Sequence, residues 1–314
     1  ISVSGQGTVT SDPVGIDCGS DCSMVIGVGD TIELTATPAT DWMFSQWIGC
    51  DSVAADVCTV NITVDENRSL SAVFVVTPPS NDNLASAITL TDASLTTSVE
   101  TQGATMETSE PLPSCDDTAG KSIWYQWSVA NDGKLREVSV DTIGSDYDTI
   151  LDIRQVAAGV DFGNEVDCDF GTLEAGFTDS KVTFMATPNE TYYVRISGYE
   201  GTGGEAVLNW TVRSSYTLTT STVGAGEGVI TSGAGISCGT SATDCQVEVL
   251  IDDTVTLSAV PGSRSMLANW GGACDGTPVT ESCTFVMSDD TAVQATFEIN
   301  PVIFHNRFGE ITTD

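Results

Sequence analysis

Nucleophilic catalysis by a Ser–His–Asp or Cys–His set needs a positioned imidazole. The chain holds one histidine, His305, close to its C-terminus. Oxygen donors are far more plentiful. Asp146 and Asp148 alternate just before the apolar run that opens at Ile150, Asp167 and Asp169 flank Cys168, and Asn81, Asp82 and Asn83 stand together. Calcium takes about six to eight such oxygens, usually from loops. Asn81, Asp82, Asp146, Asp148, Asp167 and Asp169 are therefore the expected calcium ligands, converging at one end of a β-sandwich. The competing reading is turn chemistry, because Asn and Asp hydrogen-bond their own backbone at turns and strand ends. No D-x-D-x-D-G loop is present to decide between them. A glycosidase needs only two carboxylates, so composition does not exclude one.

The ten cysteines are Cys18, Cys22, Cys50, Cys58, Cys115, Cys168, Cys238, Cys245, Cys274 and Cys283. Each of the three regions holds an even number: four, two and four. Zinc would need paired C-x-x-C knuckles or histidines, and neither is available. Disulfides are expected, which places the folded chain outside a reducing cytosol and leaves no thiolate nucleophile. Lys and Arg number ten against forty-four Asp and Glu, a formal net charge of −34. Such a surface repels nucleic acid and anionic lipid, and favours cations and a salty medium. No apolar stretch approaches the about 20 residues of a membrane-spanning helix. No signal peptide opens the chain, so Ile1 reads as a processed or trimmed start.

The elements that must carry these residues begin with an internal repeat. The first copy runs Gly7-Thr8-Val9-Thr10, Gly15-Ile16-Asp17-Cys18-Gly19, Cys22, Asp30-Thr31-Ile32-Glu33-Leu34-Thr35-Ala36-Thr37-Pro38, Trp47, Cys50, Cys58 and Ala72-Val73-Phe74. The second runs Gly228-Val229-Ile230-Thr231, Gly235-Ile236-Ser237-Cys238-Gly239, Cys245, Asp253-Thr254-Val255-Thr256-Leu257-Ser258-Ala259-Val260-Pro261, Trp270, Cys274, Cys283 and Ala295-Thr296-Phe297. Period-2 alternation in both predicts strands with one buried face. Each unit is small enough for disulfides to compensate for a thin core. Three connectivities are possible within each unit, and local pairing is preferred because both intervening loops vary in length.

These units resemble the divergent InlB B-repeats of bacterial surface proteins, the second copy more closely through Asn269-Trp270-Gly271-Gly272-Ala273-Cys274. The first departs at Gln46-Trp47-Ile48-Gly49-Cys50. The resemblance implies a compact β-grasp-like module for display, spacing or adhesion, without catalytic residues. Between the copies, Thr77-Pro78-Pro79-Ser80 reads as a stiff connector and Arg213-Ser214-Ser215 as the exit. Strands are predicted over Ser122 to Trp127, Val182 to Met185 and Tyr192 to Ile196, and Cys115 has only Cys168 as a local partner. This middle region resembles the bacterial pre-peptidase C-terminal domain through Asn81-Asp82-Asn83, Ser122 to Trp127, Gly144 to Leu151 and Thr191 to Gly198. Asp152-Ile153-Arg154 and Cys168-Asp169 depart from that pattern. The resemblance implies a non-catalytic β-sandwich, with calcium or polymer binding among some relatives.

Surface aromatics could bind carbohydrate, and Trp42, Phe44, Tyr147, Tyr199 and Trp210 are the candidates beside turns; Trp47, Trp124, Trp127 and Trp270 are expected in cores. After the final strand, Val302, Ile303, Phe304 and Phe308 are apolar for a terminus. They either pack back on the domain or add a strand to a neighbour's sheet edge. The expected architecture is all-β: a central β-sandwich (78–213) flanked by two disulfide-stapled, β-grasp-like repeat domains (1–77 and 214–299), with a tail at 300–314. The expected role is non-enzymatic, extracellular or at a bacterial cell surface, and structural or adhesive, as the subunit of a self-assembling fibre or surface layer. The alternatives are a calcium-stabilised polysaccharide- or surface-binding module and an accessory fragment of a secreted hydrolase.

Overall fold

A computed structural model of the chain describes residues 1–64, 67–157, 160–171 and 179–300. Among these residues there are strands and two short 3-10 turns, Leu84–Ser86 and Tyr199–Gly201, but no α-helix. The ten cysteines pair as Cys18–Cys22, Cys50–Cys58, Cys115–Cys168, Cys238–Cys245 and Cys274–Cys283, and none is free.

Both repeats are built alike. In the first, strands Asp17–Cys18, Gly7–Asp12, Thr31–Pro38, Val57–Asn61 and Ser52–Ala54 lie side by side in that order. A second sheet joins Ser2–Ser4, Ser71–Val76 and Trp42–Ile48. Alternate residues of Thr31–Pro38 point inward, so Ile32, Leu34 and Ala36 are buried with Val9, Trp47 and Phe74. The counterparts Val255, Leu257, Ile230, Trp270 and Phe297 fill the second core. Gly7 and Gly228 are glycine for a packing reason. A Cβ on either would come within 2.5 Å and 2.4 Å of the Phe74 and Phe297 rings.

The central domain is a β-sandwich. One sheet orders Val160–Asp169, Thr149–Ala157, Thr191–Gly198, Gly120–Ser128 and Ile88–Thr89. The other contains Lys181–Ala186, Arg136–Asp141, Leu95–Glu100 and the first half of a 19-residue strand, Glu205–Val223. Ile123, Tyr125, Trp127, Val140, Ile153 and Trp210 meet between the sheets.

Glu205–Val223 belongs to two domains at once. Its first half pairs antiparallel with Leu95–Glu100 on one side and, from Asn209 to Ser214, with Arg136–Asp141. Its second half pairs antiparallel with Gln246–Leu250 and parallel with residues 291–296 of the second repeat. The expected exit at Arg213-Ser214-Ser215 therefore lies inside a strand rather than in a loop. Its polar side chains are held from both domains: Arg213 donates to Glu137 at 2.6 Å and to Asp253 at 2.5 Å. The Ser215 hydroxyl accepts from the Leu135 amide and donates to Glu248.

Candidate functional site

The six residues expected to bind calcium are spread over several places and are largely occupied by the chain itself. Asn81 is buried, with its amide donating to the Trp124 carbonyl at 3.2 Å. Asp82 accepts from the Thr105 amide at 2.6 Å and the Thr105 hydroxyl at 2.8 Å. Asp146 accepts from the Glu205 amide at 2.8 Å. Asp167 caps the Cys168 amide at 2.9 Å, and Asp169 the Lys181 amide at 2.7 Å. These are the backbone bonds that turn and strand-end carboxylates make. Among the described residues no group of three or more His, Cys, Asp or Glu side chains could hold a metal ion. Asp148 differs: burial, with Asp116 adding repulsion, pushes its carboxyl up. Glu200 in turn raises the Tyr199 phenol, with burial, Asp116, Asp148 and Asp117 contributing less, so this corner of the sandwich is a negative patch.

The densest chemistry lies elsewhere, in a buried ion network absent from the expected set. Arg195, wholly shielded from water, donates to Asp152 at 2.6 Å, Glu110 at 2.9 Å and the Pro111 carbonyl at 2.7 Å. Arg154 reaches the other Asp152 oxygen at 2.7 Å and Glu165 at 3.2 Å. The remaining Glu110 oxygen accepts from Ser122 at 2.9 Å and the Glu107 amide at 3.0 Å. The Arg195 guanidinium also covers the Trp124 ring at 5.2 Å. Burial opposes its charge, but Asp152 and Glu110 outweigh that and hold its pKa above the ordinary arginine range. The network ties the Glu107–Pro111 loop to Thr149–Ala157 and Thr191–Gly198. Its chemistry is that of a clamp, since every carboxylate in it already faces a cation. A signal existed in the sequence: Asp152 and Arg154 interrupt an apolar strand, and Arg195 does the same in the next.

The aromatic candidates need correction. Trp210 is fully buried and donates from its indole to the Thr91 carbonyl at 2.8 Å; it stacks edge-on against Trp127. Tyr147 is also buried, and burial pushes its phenol up to about 12. Both lie beside turns in sequence, but both side chains enter the core between the sheets, Trp210 against Trp127 of the opposite sheet. Trp42 and Phe44 are half-buried near Phe74, and Tyr199 is half-buried at the acidic corner. Val302, Ile303, Phe304, His305 and Phe308 lie outside the described residues.

The fold and its five disulfides define a stapled all-β module protein without a membrane-crossing helix among the described residues. The model of the divergent InlB B-repeat domain matches residues 2–78 and 216–301, more than half of the chain, and the chain belongs to that family. B-repeats are non-catalytic modules. The chain is also similar to a solved structure, the pre-peptidase C-terminal domain of collagenase from Bacillus anthracis. That similarity has 15% identity and a TM-score of 0.25, over 40% of this chain and 93% of that one. No curated protein matches the chain.

Proposed function

We propose that this chain is an extracellular structural protein, a subunit of a fibre or surface array rather than a ligand-binding module. The observation that carries this reading is the Glu205–Val223 strand. At about 3.3 Å per residue it spans roughly 60 Å, and it leaves the central sandwich and the second repeat no hinge between them. A module that only binds a ligand has no need of such continuity, whereas a spacer or fibre subunit does. The disulfides support an oxidising compartment. The net charge of −34 supports a cation-rich medium in which self-repulsion is screened. Burial of Tyr147 and Trp210 removes two of the five aromatics that polysaccharide binding would use. Electron microscopy of the purified full chain, with calcium and with a chelator, tests the reading. Filaments or ordered arrays in either condition are expected. Isolated particles at every concentration and in both conditions would refute it.

A further inference from the structure

The same register in the two repeats carries different surfaces. Met43 stands opposite Val75 and Trp42 opposite Val76, as Met266 stands opposite Glu298 and Ser265 opposite Ile299. Trp42 is thus the counterpart of Ser265, and Val75 of Glu298. The fold needs no aromatic there, since the second repeat forms with a serine. Five of the six tryptophans are buried, and Trp42 alone keeps part of its ring at the surface. Its indole N–H has no acceptor among the described residues, whereas those of Trp47, Trp127 and Trp210 each donate to an oxygen. Nor does the sandwich cover this face, because the neighbouring Met43 and Val75 remain 44% and 40% exposed.

Trp42 lines a groove of about 650 Å³ where the first repeat meets the sandwich. That volume falls within the about 300–1,000 Å³ of ordinary ligand sites. The repeat contributes Ser4, Trp42, Met43 and Val75, and the sandwich contributes Gln102 and Gly103. These last two form the tip of a turn closed by the Ala104 amide on the Thr101 carbonyl at 2.9 Å. The turn is tied down in its turn by the Thr101 amide, which donates to the Gly204 carbonyl at 2.7 Å. Gly103 lets it sit against the connector, since a Cβ there would overlap the Thr77 carbonyl. The Gln102 side chain is exposed at the tip, and neither its amide nor the Ser4 hydroxyl has a partner among the described residues. No Lys, Arg, Asp or Glu lines the groove, in a chain whose net charge is −34.

We propose that this groove binds a neutral polysaccharide, with a sugar ring stacked on Trp42 and its hydroxyls bonded to Gln102 and Ser4. A pyranose has an apolar C–H face and a rim of hydroxyls. An aromatic ring beside a few uncharged donors and acceptors matches both. An anionic polymer would meet the field of the net −34 charge and find no cation in the groove. A cationic one would find no acid there. The inference goes beyond the structural reading and does not depend on it. A chain that never assembles can still hold a polymer, and a filament can hold one at every subunit.

Affinity electrophoresis of the full chain in native gels cast with dextran, laminarin, galactomannan or alginate tests the proposal. At least one of the neutral polymers should retard the chain, and the anionic alginate should not. Trp42→Ser copies the residue that the second repeat carries at this place, and should weaken retardation about tenfold. Gln102→Ala, at an exposed turn tip, should weaken it by a smaller factor and leave thermal unfolding unchanged. Because Trp42 is the one tryptophan that is not buried, the retarding polymer should also shift the fluorescence of the wild type and not of Trp42→Ser. If Trp42→Ser fails to fold, Gln102→Ala carries the test. Retardation by no neutral polymer overturns the proposal, as does equal retardation of the wild type and both variants. A fluorescence response to an apolar peptide, with none to any polymer, would make this a peptide groove and overturns it too. Filaments from a chain that binds no polymer would leave the fibre reading standing.

Discussion

Replacing Arg195 with Met tests whether the buried network holds the central sandwich together. The side chain is wholly buried and makes three hydrogen bonds, to Asp152, Glu110 and the Pro111 carbonyl. Met fills much of the volume but leaves two carboxylates with one cation fewer between them. Asp152 keeps Arg154 at 2.7 Å. Glu110 keeps only neutral partners, Ser122 and the Glu107 amide. Breaking a buried pair from one side costs about 3–5 kcal/mol, because the orphaned charge is not rehydrated. At roughly 4 °C per kcal/mol for a domain of this size, the transition should fall by on the order of 12–20 °C. The assay is thermal and urea unfolding followed by far-ultraviolet circular dichroism and by tryptophan fluorescence, since Trp124 lies under the guanidinium. Adding Glu110→Gln to Arg195→Met should recover about 1–2 kcal/mol, because the neutral amide no longer needs the lost cation. A loss under about 1 kcal/mol for Arg195→Met, or no recovery in the double variant, would refute the view that the network is a clamp.

Removing Cys115–Cys168 with a pair of serines should cost about 4 kcal/mol on chain-entropy grounds, against about 2.5 kcal/mol for Cys50–Cys58. Their sequence separations are 53 and 8, and matched urea titrations would read the difference. Ser215→Pro removes the amide bond to the Leu135 carbonyl and the hydroxyl bonds to Leu135 and Glu248. Calorimetry should then resolve separate transitions for the sandwich and the second repeat where the wild type has one. Asp148, raised by burial and then by Asp116, destabilises the fold as it ionises. The penalty grows as pH rises through its unfolded value of about 3.9 and is complete above its folded value, so Asp148→Asn should raise the melting temperature at pH 7 and change nothing at pH 2. Asp132 and Asp51 have the opposite sign. Arg136 and then the Lys134 amide hold down the first, and the Asn61 amide and then Arg68 the second. Their stabilisation is present above about pH 3.9 and lost as pH falls through the lower folded values, so Asp132→Asn should weaken the fold at pH 7 and lose that effect in acid.

The repeat fold was legible because alternation is local: Ile32, Leu34 and Ala36 declare one face of a strand without knowledge of any partner. Trp47 and Trp270 likewise recur at one place in a duplicated pattern. Long-range closure was not legible. Trp210 and Tyr147 look like surface aromatics until the two sheets of the sandwich pack together, which sets Trp127, more than eighty residues away, against Trp210. The ion network was hidden for a different reason. Asp152 does break an apolar strand, but with forty-four acids in the chain nothing local marks Glu110 as the second acid that meets Arg195. Arg213-Ser214-Ser215 reads as a break because polar residues usually end strands. Here Glu137 and Asp253, from two domains, hold Arg213 in line.

The shared strand also fixes when the chain can fold during its biosynthesis. Leu95–Glu100 finds its partner only after residue 205 has emerged; the Thr96–Asn209 side-chain bond alone spans 113 positions. The second half of that partner then waits for residues 291–296. The central sandwich therefore keeps an open sheet edge until residues 205–210 are made, and the second repeat until residues 291–296 are, a topology of slow closure and high contact order. Until then its cysteines, five pairs in the folded chain, stay separated from some of their partners' strands, so oxidation and sheet closure proceed together in a non-reducing medium.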